Sequence, residues 1–496
     1  MSLLFLSALT PIILVLVLLL VFNLKLMNAA LISLATASAL ALGLWEMHFS
    51  TFGSSLTKGA FVGLDIAIII AGALFFMQFF TQTKRLDTFK RILNIIHPDL
   101  RIQTIFLAMF FVAFIEGTAG FGTPAAVVVP LLVAFGISPV YAVAIALIGD
   151  GVPAMFGAVS TPILVGFEGM DFNATGSAAM LAAPLVVLSS FVILGYIKKS
   201  GTALPEGSMS YRSLIPFTLW ANVCYIVPFV TFAFVAHELA SLIGSLIGMT
   251  ILGITAAKGW FVQAPKNKTQ QEPVSFRQGF DAILPYILFI ALLFSGKFVS
   301  LKYTLDLGYG ISHTLNFHNP GILFFVSIGL TSLLSPRAWE SKKAFQSMSK
   351  KLIPPFIAIL CFGTLVQLFI HTDKNSSELP SMISYMAKIL ENNGLAFLSS
   401  FIGILGAFVS GSTTVSNLLF GQIQSNAASA VGFPVASILS LQLIGAALGN
   451  MISLANIMAA QSIVGLANCE KKILGLTIWP CLASGTILGF LAWMFY

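Results

Sequence analysis

Residues 116–124 read EGTAGFGTP, and residues 410–417 read SGSTTVSN. The first string sets three glycines, two threonines and a proline inside an otherwise apolar run; the second gathers hydroxyl residues around one glycine. Neither reads as a plain lipid-facing helix. Gly and Pro loosen a helix, and backbone groups freed in a bilayer core find no water, so such backbone persists only where it lines a protein cavity. A kinked helix with small residues at a helix–helix contact is the alternative for each string taken alone. Composition makes a bilayer the relevant solvent. Of 496 residues 57% are hydrophobic and 9% charged, with mean hydropathy +0.96, whereas soluble domains carry about 25% charged residues. So few charges cannot cover a water-soluble protein of this length. A cytosolic enzyme, a secreted disulfide scaffold and a disordered regulator are excluded, and an all-α polytopic membrane protein remains.

Working outward, apolar segments run over about 3–22, 29–48, 59–82, 139–165, 177–197, 213–235, 239–257, 280–296, 321–335, 353–371, 434–465 and 473–495. They predict about twelve transmembrane helices. The first has no basic flank or cleavage site and reads as a retained helix. The two quoted strings sit in longer stretches, 102–135 and 394–431, read as re-entrant hairpins. Each is followed by a segment read as a broken helix, 139–165 and 434–465.

The two hairpins share context. AFxxG[ST] occurs at 113–118 and 407–412, Pro-Val at 139–140 and 434–435, and Leu-Ile-Gly at 147–149 and 443–445, at offsets of 294, 295 and 296. Three matches in order predict a duplicated unit, as in transporters that hold substrate where discontinuous helices meet. The predicted organisation is a first repeat over 1–212, a connecting helix pair with linker over 213–279, and a second repeat over 280–496. With loop 84–101 cytoplasmic, 20 of the 25 Lys and Arg fall on the cytoplasmic side, as the positive-inside rule requires. The hairpins then enter from opposite sides, so the repeats are inverted. The net charge of +7 thus lies in short loop clusters and does not indicate a nucleic-acid partner.

No Lys or Arg occurs between Arg101 and Lys198 or between Lys388 and Lys471, the windows that hold both hairpins and both broken helices. The first window keeps Glu116 and Asp150. An ionisable residue at the bilayer centre costs at least ~2.5–3.5 kcal/mol and marks a functional candidate. Glu116 reads either as a proton carrier or as an acid held by its own hairpin; Asp150, beside Gly151 and Pro153, is the second candidate for proton coupling. Asp65 reads as a solvated acid near the external end of its segment, and His371 as an interfacial residue. Without Lys or Arg, an anion is left to helix N-termini and hydroxyls. Gly117, Thr118, Gly120, Gly122 and Thr123 are the candidates in the first hairpin, and Ser410, Gly411, Ser412, Thr413, Thr414, Ser416 and Asn417 in the second. Asn450, Ser453 and Asn456 follow in the second broken helix. Four cysteines without CxxC spacing indicate no metal or organic cofactor. An intramembrane aspartyl protease needs a GxGD string, and residues 147–150 read LIGD. A channel is disfavoured by two broken repeats, which suit alternating access.

At these residues the chain resembles the L-lactate permease family of bacterial transporters. The likeness lies in FIEGTAGFGTPAAVVVPLLVAFGISPVYA (114–142), DGVPAMFGAVSTPILV (150–165), SGSTTVSNLLFGQIQ (410–424) and GNMISLANIMAAQSIVGLANCE (449–470). The resemblance implies uptake of L-lactate, and of glycolate or related 2-hydroxy monocarboxylates, by proton symport across the bacterial inner membrane, with an elevator motion common in the wider group. A sodium-coupled carrier of another small organic anion is the rival. Carry-over reaches Glu116, Gly117, Gly120, Phe121, Gly122, Pro124, Pro153, Phe156 and Gly157. In the second half it reaches Gly411, Ser412, Thr414, Ser416, Asn417, Gly449, Met451, Ile452, Ser453 and Asn456. Thr413, Asp150, Asn450 and Leu454 depart from the family pattern, and the acid at position 150 bears on coupling and substrate preference. The partners expected are the anion and the bilayer, with oligomeric state open and a homodimer among the options.

Overall fold

The computed structural model describes residues 2–22, 24–85, 87–88, 91, 97, 99–120, 122–200, 210–262, 274–295, 302–316, 319–337, 339–387, 394–466 and 469–495. Phe121, the loop lysines Lys90, Lys297 and Lys388, and the linker interior 263–273 lie outside the described residues.

Helices dominate. α1 (Ser2–Leu20), α2 (Leu26–Gly43) and α3 (Phe49–Gln82) precede the first interrupted stretch. There α4 (Leu100–Ile105), a π-helical segment Phe106–Phe111 and α5 (Val112–Ala119) follow one another without a gap, and α6 (Thr123–Ala134) packs against them. α7 (Pro139–Asp150) then leads through a short 3-10 turn, Pro153–Phe156, into α8 (Gly157–Leu164), with a bend of 53°. α9 (Thr175–Lys199), α10 (Ile215–Val235), α11 (Ala240–Ala257) and α12 (Phe276–Ser295) follow. A β-hairpin separates these from α13 (Pro320–Leu334), α14 (Ser341–His371) and α15 (Met382–Ala387). The second interrupted stretch is α16 (Leu395–Ser410) and α17 (Thr413–Val431); α18 (Val435–Asn450), α19 (Leu454–Ile463) and α20 (Glu470–Phe495) complete the chain.

Two masses pack together. In one, α14 lies along α3 and also against α2, and α13 packs on α3 and α12. In the other, α16 crosses α18, α5 packs on α11, and α7 meets α9 and α20. They touch where α3 reaches α5 and α8 and where α14 reaches α17. At the basic end of the first mass, buried Arg85 donates to Asp281 Oδ1 at 3.1 Å and to the carbonyls of Asp281 and Ser335, and Arg337 pairs with the same carboxylate.

Among the described residues six helices are individually long and apolar enough to cross a membrane, and the bent pair α7 and α8 makes a seventh, broken span. The twelve crossings expected from hydropathy therefore rest in part on shorter apolar stretches such as Met27–Gly43 and Gly321–Leu334. Several features depart from the hydropathy reading; α3 begins at Phe49, ten residues before the segment read as 59–82. α14 begins at Ser341, inside the basic loop read as 336–352, because SKKAFQSMSKK is rich in good helix formers. The loop before α13, read as external from the sequence, contains β1 (Lys302–Asp306) paired antiparallel with β2 (Ser312–Asn316), which was not expected. Gly308, Tyr309 and Gly310 all take positive φ in its turn, and Thr304 pairs with Thr314 across the strands.

This hairpin also revises the reading of Asp65. His313 on β2 is buried, stacks on Phe61 of α3 at 5.2 Å, and brings Nε2 to 3.1 Å from Asp65 Oδ2. Its Nδ1 lies 3.9 Å from Glu168, in the loop after α8. Asp65 thus lies beside a buried imidazole rather than free in solvent.

Candidate functional site

The site forms because four helices stop in the protein interior. Gly120 (φ 54°) and Gly122 (φ 76°) carry the chain from α5 to α6 in backbone conformations open mainly to glycine. Gly411 (φ 71°) does the same after α16, and Ser412 caps α17 by accepting from the Val415 N–H at 3.3 Å. The N-terminus of α17 is therefore exposed to a central cavity with its free N–H groups and partial positive charge.

That cavity is small, with about 20 Å³ open to the centre of a water molecule, and all four interrupted elements contribute to it. Glu116 and Gly120 come from the first hairpin, and Gly411, Ser412, Thr413 and Thr414 from the second. The first broken helix supplies Ala154, Gly157, Ala158 and Pro162, and the second supplies Asn450. One wall is strained. Ala158, Val159 and Ser160 have φ of 42°, 58° and 61°, a left-handed turn of three non-glycine residues. Such a turn costs roughly 1–2 kcal/mol per residue and persists where surrounding structure enforces it, typically at functional sites. Here Ser160 Oγ donates to the His237 carbonyl at 2.8 Å and Thr161 Oγ1 to the Ala158 carbonyl at 2.5 Å.

The acids meet behind this wall. Glu116 and Asp150 interact side chain to side chain, both buried. Glu116 Oε2 and Asp150 Oδ1 are buried without a hydrogen-bond partner. Asp150 Oδ2 accepts from Asn450 Nδ2 at 3.1 Å. Asn456 Nδ2 donates in turn to Asn450 Oδ1 at 2.6 Å and to the Gly411 carbonyl at 3.4 Å. A polar chain thus links the ends of both broken helices to the tip of the second hairpin.

A family model described as L-lactate permease matches residues 4–306 and 308–496, nearly the whole chain. The chain belongs to the L-lactate permease family. The L-lactate permease of Bacillus subtilis is 27% identical over 536 residues, covering 95% of this chain and 92% of its own. A Haemophilus influenzae protein provisionally named an L-lactate permease is 28% identical, covering 94% of each chain. The glycolate permease of Escherichia coli is 25% identical, covering 98% of this chain and 94% of its own. Permease family membership and the apolar helices identify a multi-pass membrane transporter rather than an enzyme.

In this family member, the expected site residues divide into two groups. Glu116, Gly120, Gly411, Ser412, Thr413, Thr414 and Asn450 line the cavity, and Asp150 and Asn456 stand directly behind them. Gly122 approaches Asn456 Oδ1, and Ser453 lies buried against Gly411 with its hydroxyl unpartnered. Other candidates are used for packing. Gly117 lies against the backbone of Ser241 and Leu242, and Thr118 donates to the Ile115 carbonyl at 2.8 Å. Ser410 donates to the Gly406 carbonyl. Ser416 donates to the Gly403 carbonyl at 2.8 Å, and Asn417 to the Pro162 carbonyl at 2.9 Å. Thr123 starts α6.

Two residues of the site were missed. Gln442 of α18 donates to Ser416 Oγ at 3.1 Å and Asn417 Oδ1 at 3.2 Å, and accepts from Gln424 Nε2 at 2.5 Å. This fully buried network locks the second hairpin to its broken helix. The available signal was an amide inside each of two apolar helices.

Proposed function

We propose that the chain imports L-lactate, together with glycolate and related 2-hydroxy monocarboxylates, in symport with protons across the bacterial inner membrane. The names of its relatives supply the substrate class. The observation that carries the mechanism is that the acid Glu116 shares one small cavity with a free helix N-terminus and hydroxyls, with no Lys or Arg in either sequence window. The N-terminus and Ser412, Thr413 and Thr414 suit a carboxylate. Two negative charges in so small a low-dielectric space repel strongly, so the anion enters when Glu116 carries a proton. Proton and anion then cross together, and the Glu116–Asp150 pair is where the proton resides.

An inverted-repeat architecture supports alternating access. Gly149 of α7 packs against the Ala108 carbonyl, and Gly449 of α18 against the Ile404 carbonyl, so each broken helix crosses the entering arm of its hairpin at the residue before its polar end. On this reading 1–212 and 280–496 are the repeats, 213–279 joins them, and the mass holding the hairpins slides against the one built on α3 and α14.

The test is uptake of radiolabelled L-lactate into proteoliposomes with an imposed pH gradient. Accumulation that follows the gradient, and competition by unlabelled 2-hydroxy acids, are expected. Accumulation driven by a sodium gradient and indifferent to pH would replace the reading with the sodium-coupled one.

A further inference from the structure

A groove far roomier than the central cavity opens on the outside of the bundle between α9 and α20, with about 350 Å³ open to the centre of a water molecule. Both helices are long and apolar enough to cross a membrane, so the groove opens toward lipid. One wall is the α9 stripe Leu188, Val192, Tyr196 and Lys199, and the other includes Trp479 and Ala483 of α20. Spacings of three and four residues keep each set on one helix face. Followed back toward the start of α20, the face of Trp479 also carries Leu476 and Lys472. The Tyr196 hydroxyl donates to the Leu476 carbonyl at 2.6 Å and holds the two helices side by side at this level. α9 ends at Lys199 and α20 starts at Glu470, so the helices run antiparallel and both stripes finish on a lysine at the same end. Lys199 and Lys472 are exposed, and among the described residues neither has an acidic partner. Their neighbours are engaged elsewhere. Lys198 Nζ lies 5.9 Å from the Tyr211 ring, and Glu470, the acid nearest Lys472 in the chain, accepts from Gln461.

We propose that this groove binds an anionic diacyl phospholipid, with its phosphate between Lys199 and Lys472 and one acyl chain along the apolar stripes toward Leu188 and Ala483. The inference needs α9 and α20 to lie in a bilayer and is independent of the cargo and coupling ion proposed above. Basic pockets between spanning helices attract anionic headgroups. Lysine stems run along apolar surface while their ammonium groups stay at headgroup level. Trp479 lies about 10 Å along α20 from Lys472 at 1.5 Å per residue, and an exposed indole suits the boundary between headgroups and acyl chains. No acid lines the groove, so its charge favours an anionic headgroup over a zwitterionic one. A second copy of the chain docked through the same face, in the same membrane orientation, would set these lysines against their own counterparts.

Protein purified in detergent and stripped of lipid is offered equimolar dioleoyl phosphatidylglycerol and dioleoyl phosphatidylcholine, and the bound lipids are counted by native mass spectrometry. Wild type is expected to retain phosphatidylglycerol over phosphatidylcholine by about fivefold or more. Lys199→Gln combined with Lys472→Gln is expected to bring that ratio close to one. Lys342→Gln combined with Lys350→Gln, which removes the same charge from exposed positions in the first turns of α14, is expected to keep it. Ala483→Phe fills the groove and leaves both lysines, and should lower phosphatidylglycerol retention about threefold or more. Gel filtration before lipid is added shows whether each variant is folded and monodisperse; if the double lysine variant is not, Lys199→Gln alone decides. Equal retention of the two lipids by wild type, or an unchanged ratio in the Lys199 and Lys472 variant, overturns the proposal. A wild-type dimer that separates in Ala483→Phe also overturns it and assigns the face to a second copy of the chain.

Discussion

Asn450 donates its side-chain amide to Asp150 Oδ2 at 3.1 Å, joining residues 300 positions apart in the chain. Each is the last residue of its helix, α7 or α18. The pairing places an amide against an acid at the meeting point of the broken helices, so the second half of the chain holds the carboxyl of the first. A buried carboxylate without such a donor pays the full cost of its desolvation.

Glu116→Gln keeps the shape and polarity of the cavity and removes the group proposed to carry the proton. pH-driven uptake is expected to fall to that of protein-free liposomes, with the variant still extracted from membranes as a monodisperse species. Normal pH-driven uptake by Glu116→Gln would take Glu116 out of the coupling role.

Gly157 bounds the same acid from the other side. A methyl group there would run into Glu116 Oε1. Gly157→Ala is therefore expected to push the carboxyl off its position, at an overpacking cost of about 1–3 kcal/mol. Lactate uptake should fall while Gly195→Ala in α9, whose added carbon meets nothing within 4 Å, leaves the cavity unaltered. Equal uptake by Gly157→Ala and wild type would show that the acid has room to move.

The membrane class and the strings that line the cavity were legible because both follow from local composition: few charges, and Gly, Pro and hydroxyls inside apolar runs. Direction within a helix was not. Ser416 and Asn417 follow Thr413 and Thr414 closely, yet they face Gly403, Gln442 and Pro162 instead of the cavity. Only the crossing of α16, α17 and α18 sets that facing. Leu-Ile-Gly matches at an offset of 296, whereas the helices end 300 apart, so α18 runs a further turn past that motif before its break. The left-handed turn at Ala158–Ser160 was invisible because its residue types do not favour positive φ; tertiary contacts impose it.

Gln442 gives the missed network a direct check. Gln442→Leu leaves Ser416 Oγ, Asn417 Oδ1 and Gln424 Nε2 short of partners in a buried site, each worth about 1–3 kcal/mol. A lowered melting temperature in detergent is expected, larger than that of Gln422→Leu, whose amide sits in a part-buried pair with Asn426. Equal melting of the two variants would remove the network from the account of stability.

His313 ties the β-hairpin, read as external from the sequence, to α3 through contacts with Asp65 and the Phe61 ring. His313→Ala deletes the stacked ring and the contact with Asp65 together. The hairpin over 302–316 is expected to become sensitive to protease added from outside, with the rest of the chain protected. Cleavage no faster than in wild type would show that the strand pairing alone holds it.

Asp99 gives a pH dependence outside the membrane spans. It caps α4, accepting from the Arg101 N–H at 2.9 Å and pairing with Arg101 Nη2 at 2.6 Å. Burial pushes its carboxyl up, but the bonds and charge of Arg101, with His97, outweigh this and hold it below its ordinary value. A folded-state value below the unfolded one, near 3.9, means stabilisation that is complete above that unfolded value and lost as pH falls through the folded one. Asn also caps a helix well, so Asp99→Asn removes the charge and keeps the cap. The melting-temperature gap between wild type and Asp99→Asn should hold steady from pH 7 to 5 and close on acidification below about pH 4. A gap that stays constant down to pH 3 would show that the Asp99–Arg101 pair contributes nothing through its charge.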